Sequence, residues 1–236
     1  MLLQLSAFVF LSFGGLYPLW LWVNWRDAID QGFFRFSVGL GAVVLGLGVL
    51  LVTIVPEAGM SRPWLAVVWL GVALSSAAYV WQRRPGAQVV IAVSPVVGLF
   101  VLIDYLSGVP TGSAGIVPSV ATTAVGGVAL GGSMYTMVLG HHYLNAEKMP
   151  TRFLGKAIFV YAVVLAVRLG WDISVIASGS VNMIGMERSA IDFALSIDGM
   201  FIWIALFFGT ILPLVICYLA GQALRAKLTQ AATGLL

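Results

Sequence analysis

The stretch IVPSVATTAVGGVALGGSMYTMVLGH, residues Ile116–His141, runs for 26 residues without a Lys, Arg, Asp or Glu. A helix needs about 20 mainly apolar residues to cross the hydrocarbon core of a bilayer, which is ~30 Å thick. Its apolar residues form a continuous run and do not alternate with polar ones, which is typical of a helix and not of a barrel strand. The stretch is therefore predicted to be a membrane-spanning helix.

The whole chain has the composition of a polytopic membrane protein. Of its 236 residues, 61% are hydrophobic and 9% are charged, whereas a soluble domain carries about 25% charged residues. We predict a single all-α domain, residues 1–236, with seven transmembrane helices joined by short connections, and a short interfacial helix at Ser189–Asp198. The predicted spans are Leu2–Val23, Phe36–Val55, Trp64–Trp81, Ala87–Leu106, Ile116–His141, Leu154–Ala177 and Met200–Ala223.

Basic residues are divided unequally between the two sides of the predicted bundle. With the N-terminus outside, nine Lys and Arg flank the cytoplasmic ends of the spans and two flank the outer ends. Cytoplasmic loops carry the excess of positive charge, so we predict an outside N-terminus and a cytoplasmic C-terminus in the bacterial cytoplasmic (inner) membrane. The nine are Arg26, Arg35, Arg83, Arg84, Lys148, Arg152, Lys156, Arg225 and Lys227, and the two are Arg62 and Arg188.

Tryptophans near the span ends fit the same arrangement. Trp20, Trp22 and Trp25 close the first span, and Trp81 closes the third. An indole prefers the boundary between headgroups and hydrocarbon. We therefore predict that these side chains are interface anchors.

Small residues recur every fourth position in the fifth span. Ser119, Thr123, Gly127 and Gly131 form one ridge along the helix. In lipid, where no hydrophobic force drives helices together, such ridges allow backbones to approach closely. We predict that this helix packs in the bundle interior, and a dimer contact or the lining of a solute pathway are the two alternatives.

The sixth span contains two charged residues, Arg168 and Asp172. Their i, i+4 spacing puts them on one face, and Tyr161, seven residues before Arg168, lies on the same face. Charges in hydrocarbon are costly and usually pair with each other or face protein or water. The spacing predicts an intramembrane polar site at Tyr161, Arg168 and Asp172, which is either a structural ion pair or part of a ligand or ion site.

The two histidines of the chain, His141 and His142, are adjacent at the end of the fifth span. Neighbouring helical residues point about 100° apart, and zinc would need two further ligands, so we predict no metal site. The pair is expected to cap the helix end and to contact carbonyls or lipid headgroups. There are two alternatives to this role. The histidines could handle protons, or they could bind haem b together with a ligand from another helix or subunit.

The segment that contains these histidines resembles a short motif of other membrane proteins. It resembles a Gly-His-Trp-Tyr-Leu-Asn motif of a set of uncharacterised bacterial multi-pass membrane proteins. The residues that carry the resemblance are Gly140-His141-His142-Tyr143-Leu144-Asn145. In those proteins the motif also closes a hydrophobic helix. His142 departs from the motif because it stands in the place of the tryptophan. The resemblance implies a role for His141 and carries no known activity.

Several function classes are disfavoured by the positions of the ionisable residues. The three lysines lie at helix ends, whereas a retinal protein needs one in the middle of its last helix. The basic residues sit in short loops without a nucleic-acid-binding fold. No catalytic residues are predicted, and we expect a non-enzymatic structural or accessory subunit of a bacterial cytoplasmic-membrane complex. Membrane lipids and other subunits, or a second copy of the chain, are the predicted partners.

Two alternatives to that function stay open. Arg168 and Asp172 favour an ion or small-solute channel or transporter. His141 and His142 favour a haem- or quinone-associated electron-transfer subunit.

The charge asymmetry generates a topology prediction. Reporter fusions at Arg84 and Arg225 should report the cytoplasm, and a fusion after Gly112 should report the outer side, because the positive-inside rule sets the orientation of the bundle. A reversal at any of these three sites would contradict seven spans with an outside N-terminus.

Overall fold

The computed structural model describes residues 2–25, 29–54, 60, 62–82, 86–107, 116–145, 149–183, 186–197 and 199–236. Within these ranges the chain is mainly helical. The elements in chain order are α1 Leu2–Leu16, a 3₁₀ helix Tyr17–Trp22, α2 Gln31–Ile54, α3 Pro63–Trp81, α4 Ala87–Ser107, α5 Ile116–Asn145, α6 Arg152–Ser178, β1 Ser180–Met183, β2 Met186–Ser189, α7 Ala190–Ala194, α8 Met200–Leu206, a π-helical segment Phe207–Ile211, α9 Leu212–Arg225 and α10 Thr229–Leu235.

Seven helical stretches of the described chain are long and apolar enough to cross a membrane, which confirms the predicted number. Two boundaries were wrong. α2 begins at Gln31 and not at Phe36, because the Asp30 carboxylate accepts a hydrogen bond from the Gly32 N–H at 2.8 Å and so stabilises an earlier first turn. α5 continues to Asn145, so the two histidines lie inside its last turns and not at its end. Val55, the predicted end of the second span, lies outside the described residues.

The connection between α6 and α8 is less helical than the sequence suggested. β1 and β2 form a two-stranded antiparallel hairpin in which Ser180 pairs with Ser189. The prediction of an all-α fold is confirmed for the described chain as a whole, and the short β1–β2 pair is a local departure from it. The predicted interfacial helix at Ser189–Asp198 is reduced to the five residues of α7, because Ser189 belongs to β2 and the chain turns at Leu195. Asp198 lies outside the described residues.

Contacts between helix ends define the two sides of the bundle. On one side, the Tyr105 hydroxyl at the end of α4 donates to the Gln4 carbonyl in α1 at 2.9 Å. On the other side, Asn24 Nδ2 donates to the carbonyl of Phe153, at the start of α6, at 3.3 Å. We call these the Gln4 side and the Asn24 side. α6 therefore runs from the Asn24 side at Arg152 to the Gln4 side at Ser178.

α1 packs against α2, α4 and α5 in the centre of the bundle. Its backbone meets that of α2 at Gly14, where an added Cβ would collide with the Leu45 backbone and lie 2.9 Å from the Gly41 carbonyl oxygen. At Gly48 of α2, a Cβ would lie 2.9 Å from the Leu11 amide nitrogen. Side chains at these positions would push the helices apart, so glycine fixes the distance between α1 and α2.

Two tryptophans fill the remaining space around α1. Trp69 of α3 is fully buried, and its ring occupies the space left by Gly15 and Gly98. Trp20 is 2% exposed, and its Nε1 donates to the Val128 carbonyl of α5 at 2.8 Å. The prediction that Trp20 is an interface anchor was therefore wrong, because the 3₁₀ turn and Pro18 direct this side chain into the core.

The small-residue ridge of α5 lies partly against α1. A Cβ on Gly127 would be 3.0 Å from the Ser12 carbonyl oxygen, and one on Gly131 would be 3.1 Å from Trp20 Cδ1. Thr123 is buried, and its hydroxyl donates to the Ser119 carbonyl at 2.8 Å. Gly127 therefore lies in the seam between α1 and α5, and Gly131 lies where α5 meets the 3₁₀ helix Tyr17–Trp22.

Gly127→Leu should destabilise the protein. The added side chain has no space against α1, and overpacking typically costs ~1–3 kcal/mol. Gly71→Leu is the matched control, because a Cβ at Gly71 meets nothing within 4 Å. The thermal unfolding midpoint of each variant in one detergent provides the measurement. Equal midpoints for Gly127→Leu and wild type would contradict the close seam.

Candidate intramembrane site at Arg168

Arg168 and Asp172 form an ion pair within α6. Arg168 Nε lies 3.5 Å from Asp172 Oδ2, and the two side chains are 26% and 23% exposed. Nε is itself buried and makes no hydrogen bond among the described residues. The carboxylate therefore compensates the guanidinium charge from one side only and leaves the rest of the group available to other contacts.

The terminal nitrogens of Arg168 lie between glycines of two other helical segments. A Cβ on Gly126 of α5 would lie 3.4 Å from Nη1, and a Cβ on Gly209 of the π-helical segment would lie 3.9 Å from Nη2. Because glycine has no side chain, the guanidinium is not covered at either position. A guanidinium in this setting presents a planar fork of N–H donors.

A cavity of about 460 Å³ opens beside this guanidinium. We call it the larger cavity. Its volume lies in the range of ligand pockets in proteins, ~300–1,000 Å³. Its walls come from α1, α5, α6 and the last span, and its lining residues are Phe8, Val9, Ser12, Thr122, Thr123, Gly126, Gly127, Ala129, Leu130, Ser133, Tyr161, Arg168, Phe208, Gly209 and Pro213. Arg168 is the charged side chain in a lining that is otherwise apolar or neutral.

A smaller cavity, of about 240 Å³, continues toward the Gln4 side. It shares Thr122 and Arg168 with the larger cavity, and Asp172 also lines it. Val175 and Ile176, further along α6, form its wall toward the helix end. The ion pair therefore stands at the junction of two spaces that follow α6.

Hydroxyl groups lie on both sides of Arg168 along the cavity wall. Toward the Asn24 side, Tyr161 and Ser133 both line the larger cavity. Toward the Gln4 side, Trp171 Nε1 donates to Thr122 Oγ1 at 2.8 Å. The structure thus brings Tyr161, Arg168 and Asp172 to one wall, with the hydroxyls of α5 opposite.

The last span changes helix type where it passes Arg168. Pro213 has no N–H, so the Gly209 carbonyl cannot form the usual i→i−4 bond with it. The Leu212 N–H donates to the Phe207 carbonyl, an i→i−5 bond that makes Phe207–Ile211 a π-helical segment. Such segments often occur at functional sites. Here the segment carries Phe208 and Gly209 into the wall of the larger cavity.

The two histidines do not belong to this site. His141 is exposed and His142 is half-buried, and the His142 ring packs against Phe33 with centroids 5.4 Å apart. His142 Nε2 is buried without a hydrogen bond among the described residues. Of the described residues, no three His, Cys, Asp or Glu lie together as metal ligands. The haem and proton alternatives at this pair stay predictions.

Sequence reasoning missed the second face of α5. Thr122, Gly126 and Ser133 are spaced i, i+4 and i+11, so they share a helix face beside the Gly127 ridge. The recurrence of small residues at these positions could have predicted this face from the sequence. Nothing in the sequence indicated Gly209, because its contribution depends on which face of the last span meets α6.

No family model, curated protein or solved structure matches this chain. The resemblance of the Gly140–Asn145 segment to a motif of uncharacterised membrane proteins therefore stays a prediction. Function has to be inferred from the residues of the chain itself.

Asp172→Asn should destabilise the protein more than Arg168→Met combined with Asp172→Leu. The single change leaves a half-buried cation without its partner, whereas the double change removes both charges. We expect a loss below the ~3–5 kcal/mol typical of fully buried pairs, since both side chains are about a quarter exposed. Thermal unfolding in detergent measures the difference. If both variants were as stable as wild type, the pair would be solvated and the polar site would not exist.

Proposed function

We propose that this chain is a multi-pass protein of the bacterial cytoplasmic membrane that binds an anionic solute beside Arg168, as a channel or transporter does. The observation that carries the proposal is the position of Arg168 in a wall shared by two cavities. A structural ion pair needs no adjoining space, whereas a binding site does. The uncovered guanidinium fork favours an anion over a cation.

The polar groups along α6 support a path for such a solute. The smaller cavity extends from Arg168 toward the Gln4 side, past Asp172, and the larger cavity extends to Tyr161 and Ser133. The charge asymmetry of the loops assigns the Gln4 side to the outside and the Asn24 side to the cytoplasm. A solute entering from outside would meet the ion pair before it reaches the larger cavity.

Thiol labelling can test whether anions reach Arg168. Cys217 is the single cysteine of the chain and is buried, so Cys217→Ala gives a background without thiols. In that background, Thr122→Cys places a thiol at the junction of the two cavities. We expect a sulfonate-bearing thiosulfonate to label it at least several-fold faster than a trimethylammonium-bearing one, because the guanidinium attracts the anion. Adding Arg168→Gln should remove this preference.

Gly170→Cys in the same background is the control. It lies on α6 close to Arg168, and a Cβ there meets nothing within 4 Å. We expect neither charged reagent to label this position appreciably, because it lies outside both cavities on the outward face of α6. Equal labelling of Thr122→Cys by the two reagents, or no labelling at all, would refute a solute path to Arg168.

The accessory-subunit alternative has support from a different surface. The last span carries large exposed apolar side chains, among them Phe201 at 73% and Phe208 at 61%. Lipid or another subunit would cover this face in the membrane. Purification in a mild detergent, followed by identification of copurifying chains, tests this second candidate; a chain that purifies alone would count against it.

A further inference from the structure

The rim of the larger cavity lies at mid-depth of the bundle and faces sideways. Leu130 is halfway along α5 and 44% exposed, and Phe208 of the last span is 61% exposed. Val9 of α1, 37% exposed, completes the apolar rim. These residues belong to three different helices, and their exposure at mid-span means that the opening faces the lipid and not an aqueous end.

This cavity combines one charged group with a mainly apolar lining. The guanidinium of Arg168 lies in its wall beside Gly126 and Gly209. Apolar groups, including Phe8, Val9 and Pro213, form much of the rest of the lining. A ligand that contacts both needs one acidic group and one hydrocarbon segment.

We propose that the larger cavity binds a membrane amphiphile with a single acidic head group, which enters sideways from the lipid and places its acid on the Arg168 fork. The proposal rests on the anion site of the proposed function, although not on its aqueous path. Arg168 contacts Asp172 through Nε, so Nη1 and Nη2 are the nitrogens that can bind two oxygens of a carboxylate or phosphate ester. The hydrocarbon segment would lie against Phe8, Leu130 and Phe208.

Access from the lipid distinguishes this ligand from a free anion. A small oxyanion does not dissolve in hydrocarbon, because leaving water costs a charged group several kcal/mol or more. The hydrocarbon segment of an amphiphile already lies in the bilayer beside a lateral opening, so only the acidic head has to move from the headgroup region to Arg168. Arg168 would bind the acidic group of a free anion and that of an amphiphile in the same way. The hydrocarbon segment is therefore the feature that distinguishes an amphiphile from a free anion.

Equilibrium binding to the full-length protein in lipid nanodiscs tests the proposal. The probe is radiolabelled hexadecanoate, with hexadecanol and inorganic phosphate as competitors. We expect saturable binding of hexadecanoate, and displacement by hexadecanol or by phosphate should require at least tenfold higher concentrations than displacement by unlabelled hexadecanoate. This comparison uses the wild-type protein, so it does not depend on how any variant folds.

Two variants locate the binding at Arg168. Arg168→Gln should weaken hexadecanoate binding at least tenfold, and Gly126→Leu should do the same by covering Nη1. Arg62→Gln is the matched control, because it also removes an arginine that pairs with an aspartate, Asp104 at 3.9 Å, but lies outside the cavity lining. Gly170→Leu controls for the added leucine.

Any one of the following results would overturn the proposal. They are the absence of saturable hexadecanoate binding, equal competition by hexadecanol, and unchanged binding in both Arg168→Gln and Gly126→Leu. Competition by phosphate as strong as that by hexadecanoate would also overturn it and would favour a free anion. If hexadecanoate fails while thiol labelling still depends on Arg168, the proposed function stands without this ligand. If hexadecanoate binds while the thiol reagents do not label, the aqueous path falls and the lipid-side site remains.

Discussion

The close approach of α1 to its neighbours is the constraint on which the rest of the bundle depends. In a bilayer, apolar side chains gain little by leaving lipid for each other, so helix association relies on contact at short range. Gly14 meets the backbone of α2 and Gly127 meets that of α1, so α1 is held between α2 and α5. The position of α5 then fixes α6, which packs on it, and through α6 the last span. The absence of side chains at a few glycines on α1, α2 and α5 thus determines where the polar face of α6 lies.

The same use of glycine has a different result at Arg168. Gly126 and Gly209 face the guanidinium and not a backbone, so their missing side chains leave space and do not bring helices together. Asp172 pairs with the cation on one edge, and the other edge borders the larger cavity. Partial compensation of this kind allows a charge to remain inside the bundle and still interact with a further group.

The sequence was sufficient for the spans and insufficient for their arrangement. Length and hydrophobicity respond to the thickness of the bilayer, so the number of helices and most of their ends could be predicted. The start of α2 was missed because one capping contact, from Asp30 to Gly32, extended the helix. The burial of Trp20 was missed because it follows from the 3₁₀ turn after α1. On α6, spacing alone required Arg168 and Asp172 to be neighbours, but the cavity beside them depends on α1, α5 and the last span together.

The π-helical segment at Phe207–Ile211 has a consequence for the second half of the last span. An extra residue in one turn rotates everything after it by about 100° relative to an uninterrupted α-helix. The face that buries Cys217 and Ala220 in α9 is therefore out of phase with the face that α8 presents. Gain or loss of a single residue in this turn would redirect the whole of α9 toward different neighbours while leaving the number of spans unchanged. A change of that size in a related sequence would be invisible to hydropathy and yet would rebuild one wall of the cavity.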